Sequence, residues 1–180
     1  MRAGRVLNFV GCVERPWEEE SWTARKPWTE LDQDYAGWHP VVRAVIEAAD
    51  KDQCFRWALN NRQPVMTWTT PHVALLGDAV HPTLPYMAQG AAMAIEDAAV
   101  LSRALSLDLP LADALRVYEK HRAPRAARVV HESTEMADLY HISDAQKMKQ
   151  AFKDRNIAAS RNNWLYPYDP MQVDLMSSSV

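Results

Sequence analysis

The feature that most constrains the fold is the stretch from Val73 to Leu105, VALLGDAVHPTLPYMAQGAAMAIEDAAVLSRAL. It starts with a short apolar run, VALL, which is typical of a fully buried strand that ends at Gly77 and Asp78. Residues 91–105 repeat apolar side chains at helical spacing and are rich in alanine, which predicts a helix that packs closely against a sheet or a ligand. The apolar face of this helix is expected to consist of Ala91, Ala94, Ile95, Ala98, Leu101 and Leu105.

The loop inside this stretch carries groups that suit a ligand. Asp78 follows the strand, where a carboxylate can accept hydrogen bonds from ligand hydroxyls, and the helix start offers free N–H groups to an anion or a polarised carbonyl. Pro82 and Pro85 stiffen the loop, while Gly90 lets the backbone approach a flat ligand because it has no Cβ atom. The pattern predicts a site for a planar cofactor with a polyhydroxy chain.

The distribution of glycine excludes two other kinds of cofactor site. The chain has 180 residues and five glycines, at positions 4, 11, 37, 77 and 90. No G-x-G-x-x-G spacing and no P-loop spacing occurs among them, so the sequence carries no recognisable dinucleotide fingerprint. With 48% hydrophobic residues, the chain can form one globular domain or part of one.

Charge and cysteine content argue against several further classes. The formal net charge is −3 and the basic residues are dispersed, which argues against nucleic-acid binding. Cys12 and Cys54 have no metal-ligand spacing, so we expect neither a metal site nor a disulfide, and reduced thiols suit a cytoplasmic protein. No segment has the apolar length that a signal peptide or a membrane span requires.

The remaining sequence predicts short strands in the first part and helices in the second. Strands are expected at 5–13, 53–59 and 64–69, and helices near 29–36, 40–50, 111–120, from Pro124 onward and over 144–160, before an extended tail. The two strands after residue 50 would form a meander around the turn-like Asn60–Arg62.

The stretch around Gly77 resembles a flavin motif. In the second flavin motif of class A flavoprotein aromatic hydroxylases, Gly-Asp is followed by a proline, and here these residues are Gly77, Asp78 and Pro85. The continuation MAQGAAMAIEDAAVL is similar to that of salicylate and 3-hydroxybenzoate hydroxylases and of 6-hydroxynicotinate monooxygenase. The runs GWHPVV, WALNNRQPVMTW and WLYPYD resemble the same subfamily, so the resemblance covers nearly the whole chain.

This resemblance implies an α+β fold, the C-terminal half of a flavoprotein hydroxylase of the PHBH type, without its Rossmann-like N-terminal unit. The implied parts are a partial substrate-domain sheet with an inserted helix over 1–72, a flavin-binding strand, loop and helix over 73–105, C-terminal helices over 106–160 and an extended tail over 161–180.

The resemblance also implies roles for individual residues. Asp78 would hydrogen-bond a ribityl hydroxyl of FAD, and the segment Ala88, Gln89, Gly90 and Ala91 would present N–H groups to the pyrimidine edge of the flavin. Pro85 and Tyr86 would lie on the substrate side of the ring, as the catalytic candidates. Family members often have glycine where Ala88 stands and alanine where Val80 stands.

The implied activity is hydroxylation of a small aromatic acid with FAD, NAD(P)H and O2. Because the pyrophosphate-binding half is missing from this sequence, the isolated chain is expected to bind FAD weakly and to need an N-terminal partner chain, as one subunit of a split enzyme, or to form a homo-oligomer. One alternative is a non-enzymatic binding or assembly module that acts through an exposed sheet edge. Another is a halogenase or epoxidase of the same superfamily.

Four polar residues near the motif have structural alternatives. Glu96 and Asp97 are adjacent on a helix and do not face a common point, which favours salt bridges or capping over a general acid/base pair. His81 is expected to brace the loop by hydrogen bonding, since it has no partners for metal ligation. Tyr86 fits packing and substrate contact equally well.

Overall fold

The computed structural model describes residues 6–156 and 163–177. It is rich in helix, with one small sheet, and divides into two compact units, Met1–Ala58 and Leu59–Val180. The predicted α+β class agrees with this content at the level of elements present. The boundary between the two units falls after Ala58, and the division into parts over 1–72, 73–105, 106–160 and 161–180 stays a prediction.

The first unit contains two short helices and the sheet. The helices are α1 (Trp28–Asp34) and α2 (Pro40–Glu47), and strand β1 (Ala24–Arg25) pairs antiparallel with β2 (Phe55–Arg56). Proline suits the first turn of α2 because its missing N–H would have no partner there. Ile46, near the carboxyl end of α2, is fully buried. Its carbonyl accepts a 3.0 Å hydrogen bond from Trp28 Nε1.

The second unit is built around two helices. These are α3 (Gly90–Leu105) and α4 (Leu111–Tyr140), followed by the shorter α5 (Ala145–Arg155). Their facing sides bury apolar residues that include Met93, Val100, Tyr118 and Val129. Asp144 caps α5 because its Oδ1 accepts from the N–H groups of Gln146 and Lys147 at 2.9 Å.

Helix α4 corrects the prediction of a helix over 111–120 and another from Pro124. The helix is continuous, with Pro124 in its interior. A proline there removes one backbone hydrogen bond and crowds the preceding turn. Leu115 before it and Val130 after it are both buried, so packing of the two halves in one unit outweighs the local cost.

The strand predictions were largely wrong. Residues 6–13 have no regular secondary structure, whereas residue 5 lies outside the described residues. Of the predicted meander, only Phe55–Arg56 is a strand, and it pairs with β1. The VALL run contributes a single antiparallel bridge, between Thr69 and Ala74. Apolar, β-branched runs become strands only where a partner strand can pair with them, so their propensity alone does not decide the outcome.

The tail is folded into turns rather than extended. Leu165 and Leu175 are buried against the helices, and the Arg103 guanidinium donates to the carbonyls of Pro170 (2.6 Å) and Val173 (2.8 Å). The predicted helix over 144–160 ends earlier, at Arg155, and residues 157–162 and 178–180 lie outside the described residues.

Candidate flavin site

The Gly77 turn begins the candidate site. Gly77–Ala79 form a single 3-10 turn, and Gly77 is buried with φ +61°, a left-handed conformation that glycine adopts without steric cost. The next residue, Asp78, is exposed, and its carboxylate makes no hydrogen bond or ion pair within the described residues. The predicted ligand carboxylate is therefore accessible and unpaired.

The loop after this turn is held by contacts from outside it. Arg62 Nη2 donates to the carbonyls of Ala79 (3.1 Å) and Val80 (2.9 Å), and Ser133 Oγ donates to the carbonyl of Leu84 at 2.6 Å. Pro85–Met87 form a second 3-10 turn, which ends at Ala88. Thus both ends of the loop are fixed by side chains that the sequence pattern did not identify.

The start of α3 presents free backbone donors. Gln89 is the N-cap but its side chain makes no capping bond, and the first helical bond runs from the Met93 N–H to the Gln89 carbonyl at 2.8 Å. The N–H groups of the first turn, at Gly90, Ala91 and Ala92, therefore have no helical partner. A Cβ on Gly90 would meet only Thr83 Cγ2, at 3.7 Å. Neither φ nor packing within the described chain requires glycine there, which fits a site that a flat ligand approaches.

Ala88 lies in the left-handed region, with φ 54° and ψ 36°. This conformation costs an L-residue roughly 1–2 kcal/mol. The glycine that family members often carry at this position is thus explained by backbone geometry, and this chain tolerates the strain with an alanine.

Tyr86 belongs to an aromatic cluster at the carboxyl end of α4. Its ring lies 5.6 Å from the Tyr140 ring and 6.3 Å from the His141 ring, and Tyr140 in turn lies 5.5 Å from Phe152 of α5. Tyr86 is half-buried and Pro85 is exposed. Packing accounts for one side of Tyr86, and its position in the loop leaves the substrate-side role as a prediction.

A buried charge network behind the loop was not predicted as part of the site. Asp97 of α3 is fully buried; its Oδ2 accepts the Gly77 N–H at 3.0 Å and lies 2.5 Å from His81 Nε2, while its Oδ1 accepts Arg122 Nε at 2.7 Å. Glu96 pairs with Arg122 at 2.8 Å. We call the side chains of His81, Glu96, Asp97 and Arg122 the Asp97 network.

Two predictions about these residues agree with the network. His81 braces the loop through a hydrogen bond, and Glu96 and Asp97 form ion pairs; Glu96 also receives a bidentate contact from Arg125 at 2.7 and 2.8 Å. The network carries charge inside the protein. Burial by itself raises the pKa of Asp97, but the hydrogen bonds from His81, Arg122 and Gly77 outweigh it and hold that pKa below its ordinary value.

The predicted apolar face of α3 was wrong. The structure buries Met93, Asp97, Val100 and Ala104, whereas Ile95 and Leu105 are 70% and 49% exposed. The sequence did contain a sign of the buried face. Asp97 lies at helical spacing from Met93 and Val100, so these three side chains share one face, and a charged residue can be buried there if it has a partner. Alanines on every side of the helix hid this alternative.

Cys12 and Cys54 are free and half-buried. Within residues 6–156 and 163–177, no group of histidine, cysteine and acidic side chains is arranged to hold a metal ion. In the same ranges no helix has the length and apolar character to cross a membrane.

Comparison with known proteins identifies the family to which the chain belongs. The profile of the FAD binding domain family matches residues 4–133. The 6-hydroxynicotinate 3-monooxygenase of Pseudomonas fluorescens is 42% identical in an alignment of 183 residues that covers 99% of this chain and 42% of that enzyme. The chain belongs to the class A FAD-dependent hydroxylases.

Solved hydroxylase structures share the fold. A salicylate hydroxylase substrate complex matches with a TM-score of 0.69 and 27% identity, over 88% of this chain and 39% of that one. Klebsiella pneumoniae HpxO, complexed with FAD and uric acid, matches with a TM-score of 0.62 and 32% identity, over 73% of this chain and 35% of that one. Among eight curated relatives that it matches, the chain spans between 31% and 46% of the relative's length.

Proposed function

We propose that this chain supplies the flavin-edge part of a monooxygenase that hydroxylates a small aromatic acid with FAD, NAD(P)H and O2. The observation that carries the proposal is the exposed, unpaired carboxylate of Asp78 together with the uncapped start of α3 at Gly90. The two are linked through Asp97, which lies on α3 and binds the Gly77 N–H.

Each group has a definite task in this proposal. The Asp78 carboxylate accepts a ribityl hydroxyl of FAD, and the free N–H groups at Gly90 and Ala91 donate to the pyrimidine edge, where they stabilise negative charge. Ala88 and Gln89 set the path of the chain into this helix start. When bound, the flavin supplies the electron transfer and the activation of oxygen. Pro85 and Tyr86 line the side on which the aromatic acid binds.

FAD binding by this chain alone is expected to be weak. The sequence contains no G-x-G-x-x-G run to hold the pyrophosphate, and the matched relatives carry more than half of their length outside the aligned part. We therefore propose that a polypeptide region outside these 180 residues supplies those contacts, and that the complete enzyme works in the cytoplasm.

Exposed apolar residues support a partner. On α3, Ile95 is 70% exposed, and Val73 of the VALL run is 56% exposed. In the described chain the backbone N–H groups of Ala74 and Leu76 have no hydrogen-bond partner, so one edge of this run is unpaired. The same features would serve a binding module without enzymatic activity, and the next experiment separates the two functions.

The test is a titration of the chain with FAD, followed by flavin fluorescence, for the wild type, Asp78→Asn and the control Asp108→Asn. Asp108 is an exposed carboxylate that follows α3. We expect weak binding by the wild type, a loss of about tenfold in affinity for Asp78→Asn, and no change for Asp108→Asn. No binding by the wild type, or equal loss in both variants, contradicts the flavin assignment.

The reaction is tested after restoring the rest of the enzyme. The segment of the Pseudomonas fluorescens relative that lies outside the alignment would be produced together with this chain. We expect a yellow complex that oxidises NAD(P)H only when a hydroxylated aromatic acid is present and that yields an oxygenated ring. A colourless complex of the two polypeptides would favour the binding-module alternative, and a halogenated product would indicate a halogenase.

A further inference from the structure

We propose that Asp97 is a positioning residue for the flavin: its buried carboxylate holds the Gly77 turn so that Asp78 faces the ligand, and joins this turn to α3, whose start carries the other flavin contact. The proposal rests on the proposed function. It assigns to the Asp97 carboxylate a task that packing alone would not require.

A hydrogen bond to Asp97 fixes the backbone of the Gly77 turn. Gly77 is in the left-handed region, and its N–H donates to Asp97 Oδ2 at 3.0 Å. The covalently adjacent Asp78 has an exposed side chain without a partner. Since no hydrogen bond in the described chain orients the Asp78 side chain itself, the direction in which it points depends on the backbone of Gly77, which Asp97 holds.

The ionised form of Asp97 lets both of its oxygens accept hydrogen bonds. Both carboxylate oxygens are used, Oδ2 by Gly77 and His81 and Oδ1 by Arg122. An isosteric amide in place of Asp97 has one oxygen only. The buried Arg122 guanidinium attracts that oxygen more strongly than a neutral N–H does, so the amide NH2 would face the Gly77 N–H, and donor would meet donor. Asp97→Asn is therefore expected to release the turn.

The chain offers a matched control in the neighbouring residue. Glu96 pairs with the same Arg122, at 2.8 Å, and with Arg125. Within the described residues, the Glu96 carboxylate contacts Arg122 and Arg125 but neither Gly77 nor His81. Glu96→Gln thus weakens the same cluster of charges without removing the bond that positions the turn.

The experiment compares the wild type, Asp97→Asn and Glu96→Gln by two readouts: amide hydrogen exchange of Gly77 without ligand, and FAD affinity. For Asp97→Asn we expect Gly77 to lose protection and the FAD affinity to fall about tenfold or more. For Glu96→Gln we expect Gly77 to stay protected and the affinity to stay within about threefold. If Asp97→Asn does not fold, Asp97→Glu tests the same bond, because it keeps the charge but moves the carboxylate away from the Gly77 N–H: Gly77 should again lose protection and the FAD affinity should fall.

The outcomes are distinguishable. Equal effects of Asp97→Asn and Glu96→Gln on both readouts would overturn the positioning role and leave a structural one. Unchanged FAD affinity in Asp97→Asn, with a wild type that binds, would also overturn it. If the wild type does not bind FAD, the proposed function fails, and Gly77 protection still decides whether Asp97 holds the turn.

Discussion

The two sides of the segment from Gly77 to Ala91 differ in how their polar groups are satisfied. On the inner side, the Gly77 N–H and the His81 imidazole both contact the Asp97 carboxylate, and all three residues are buried. On the outer side, Asp78 and Ala91 are exposed, and the Asp78 carboxylate has no partner within the described residues. In the proposed site, stability therefore depends on the inner residues of this segment and ligand binding on the outer ones. Substitutions can separate the two effects.

The largest expected effect comes from breaking the inner side at Arg122. Arg122→Met would leave Asp97 buried without its charge partner, and removal of one member of a buried ion pair costs about 3–5 kcal/mol. Urea denaturation would measure the free energy of unfolding. The control is Arg116→Met, because Arg116 is 67% exposed and pairs with Asp113 on the surface of α4, where about 0.5 kcal/mol is expected. Equal losses in the two variants would show that the buried ion pair contributes no more to the free energy of unfolding than the exposed one.

Acid should weaken the inner side less than loss of Arg122, since a protonated Asp97 keeps part of its hydrogen bonding. The pKa of Asp97 is below its ordinary value of 3.8 in the folded chain, so the unfolded chain binds this proton first. Its contribution is complete above pH 3.8 and is lost as the pH falls through the lower folded-state pKa. Unfolding free energies measured from about pH 6 to about pH 2 should show this decline, and Asp97→Asn should show a shallower one.

Gly77→Ala is expected to have the next largest effect. The left-handed conformation costs alanine about 1–2 kcal/mol, and the new Cβ would lie 3.3 Å from the Ala94 Cβ, so a loss of about 2 kcal/mol in the free energy of unfolding is expected. Gly90→Ala provides the contrast, because its Cβ meets only Thr83 at 3.7 Å. Stability should change little there, while FAD affinity should fall. A larger stability loss at Gly90 than at Gly77 would reverse the comparison.

Sequence and structure agree where local pattern decides and differ where tertiary partners decide. The α3 helix was predicted over 91–105 and observed over Gly90–Leu105, because its spacing and its glycine start are local features. The same spacing did not reveal which face of α3 is buried, since a charge with a partner on α4 replaces an apolar residue. Proline inside α4 suggested a break that long-range packing overrides.

The candidate site shows the same division. Gly77, Asp78 and the start of α3 were predicted from the motif, and their roles in binding a flavin stay predictions; the structure shows the left-handed backbone of Gly77 and the exposed side chain of Asp78. The Asp97 network could not be identified, because Asp97 and Arg122 are distant in sequence and nothing local indicates that they meet. The strands failed for a related reason: an apolar run such as 5–13 specifies a strand only together with a second strand to pair with.

The smallest expected effect lies on the outer side, at Ala88, and it is a gain. Ala88 has φ 54°, where glycine avoids the steric cost, so Ala88→Gly should raise the free energy of unfolding by about 1 kcal/mol. Ala98→Gly is the matched control: Ala98 is exposed within α3, and glycine there should lower stability by about 1 kcal/mol. Thermal denaturation of the three proteins would decide the sign. A loss in both variants would mean that the strain at Ala88 is relieved in solution, and that the outer side of the loop is less fixed than the inner side.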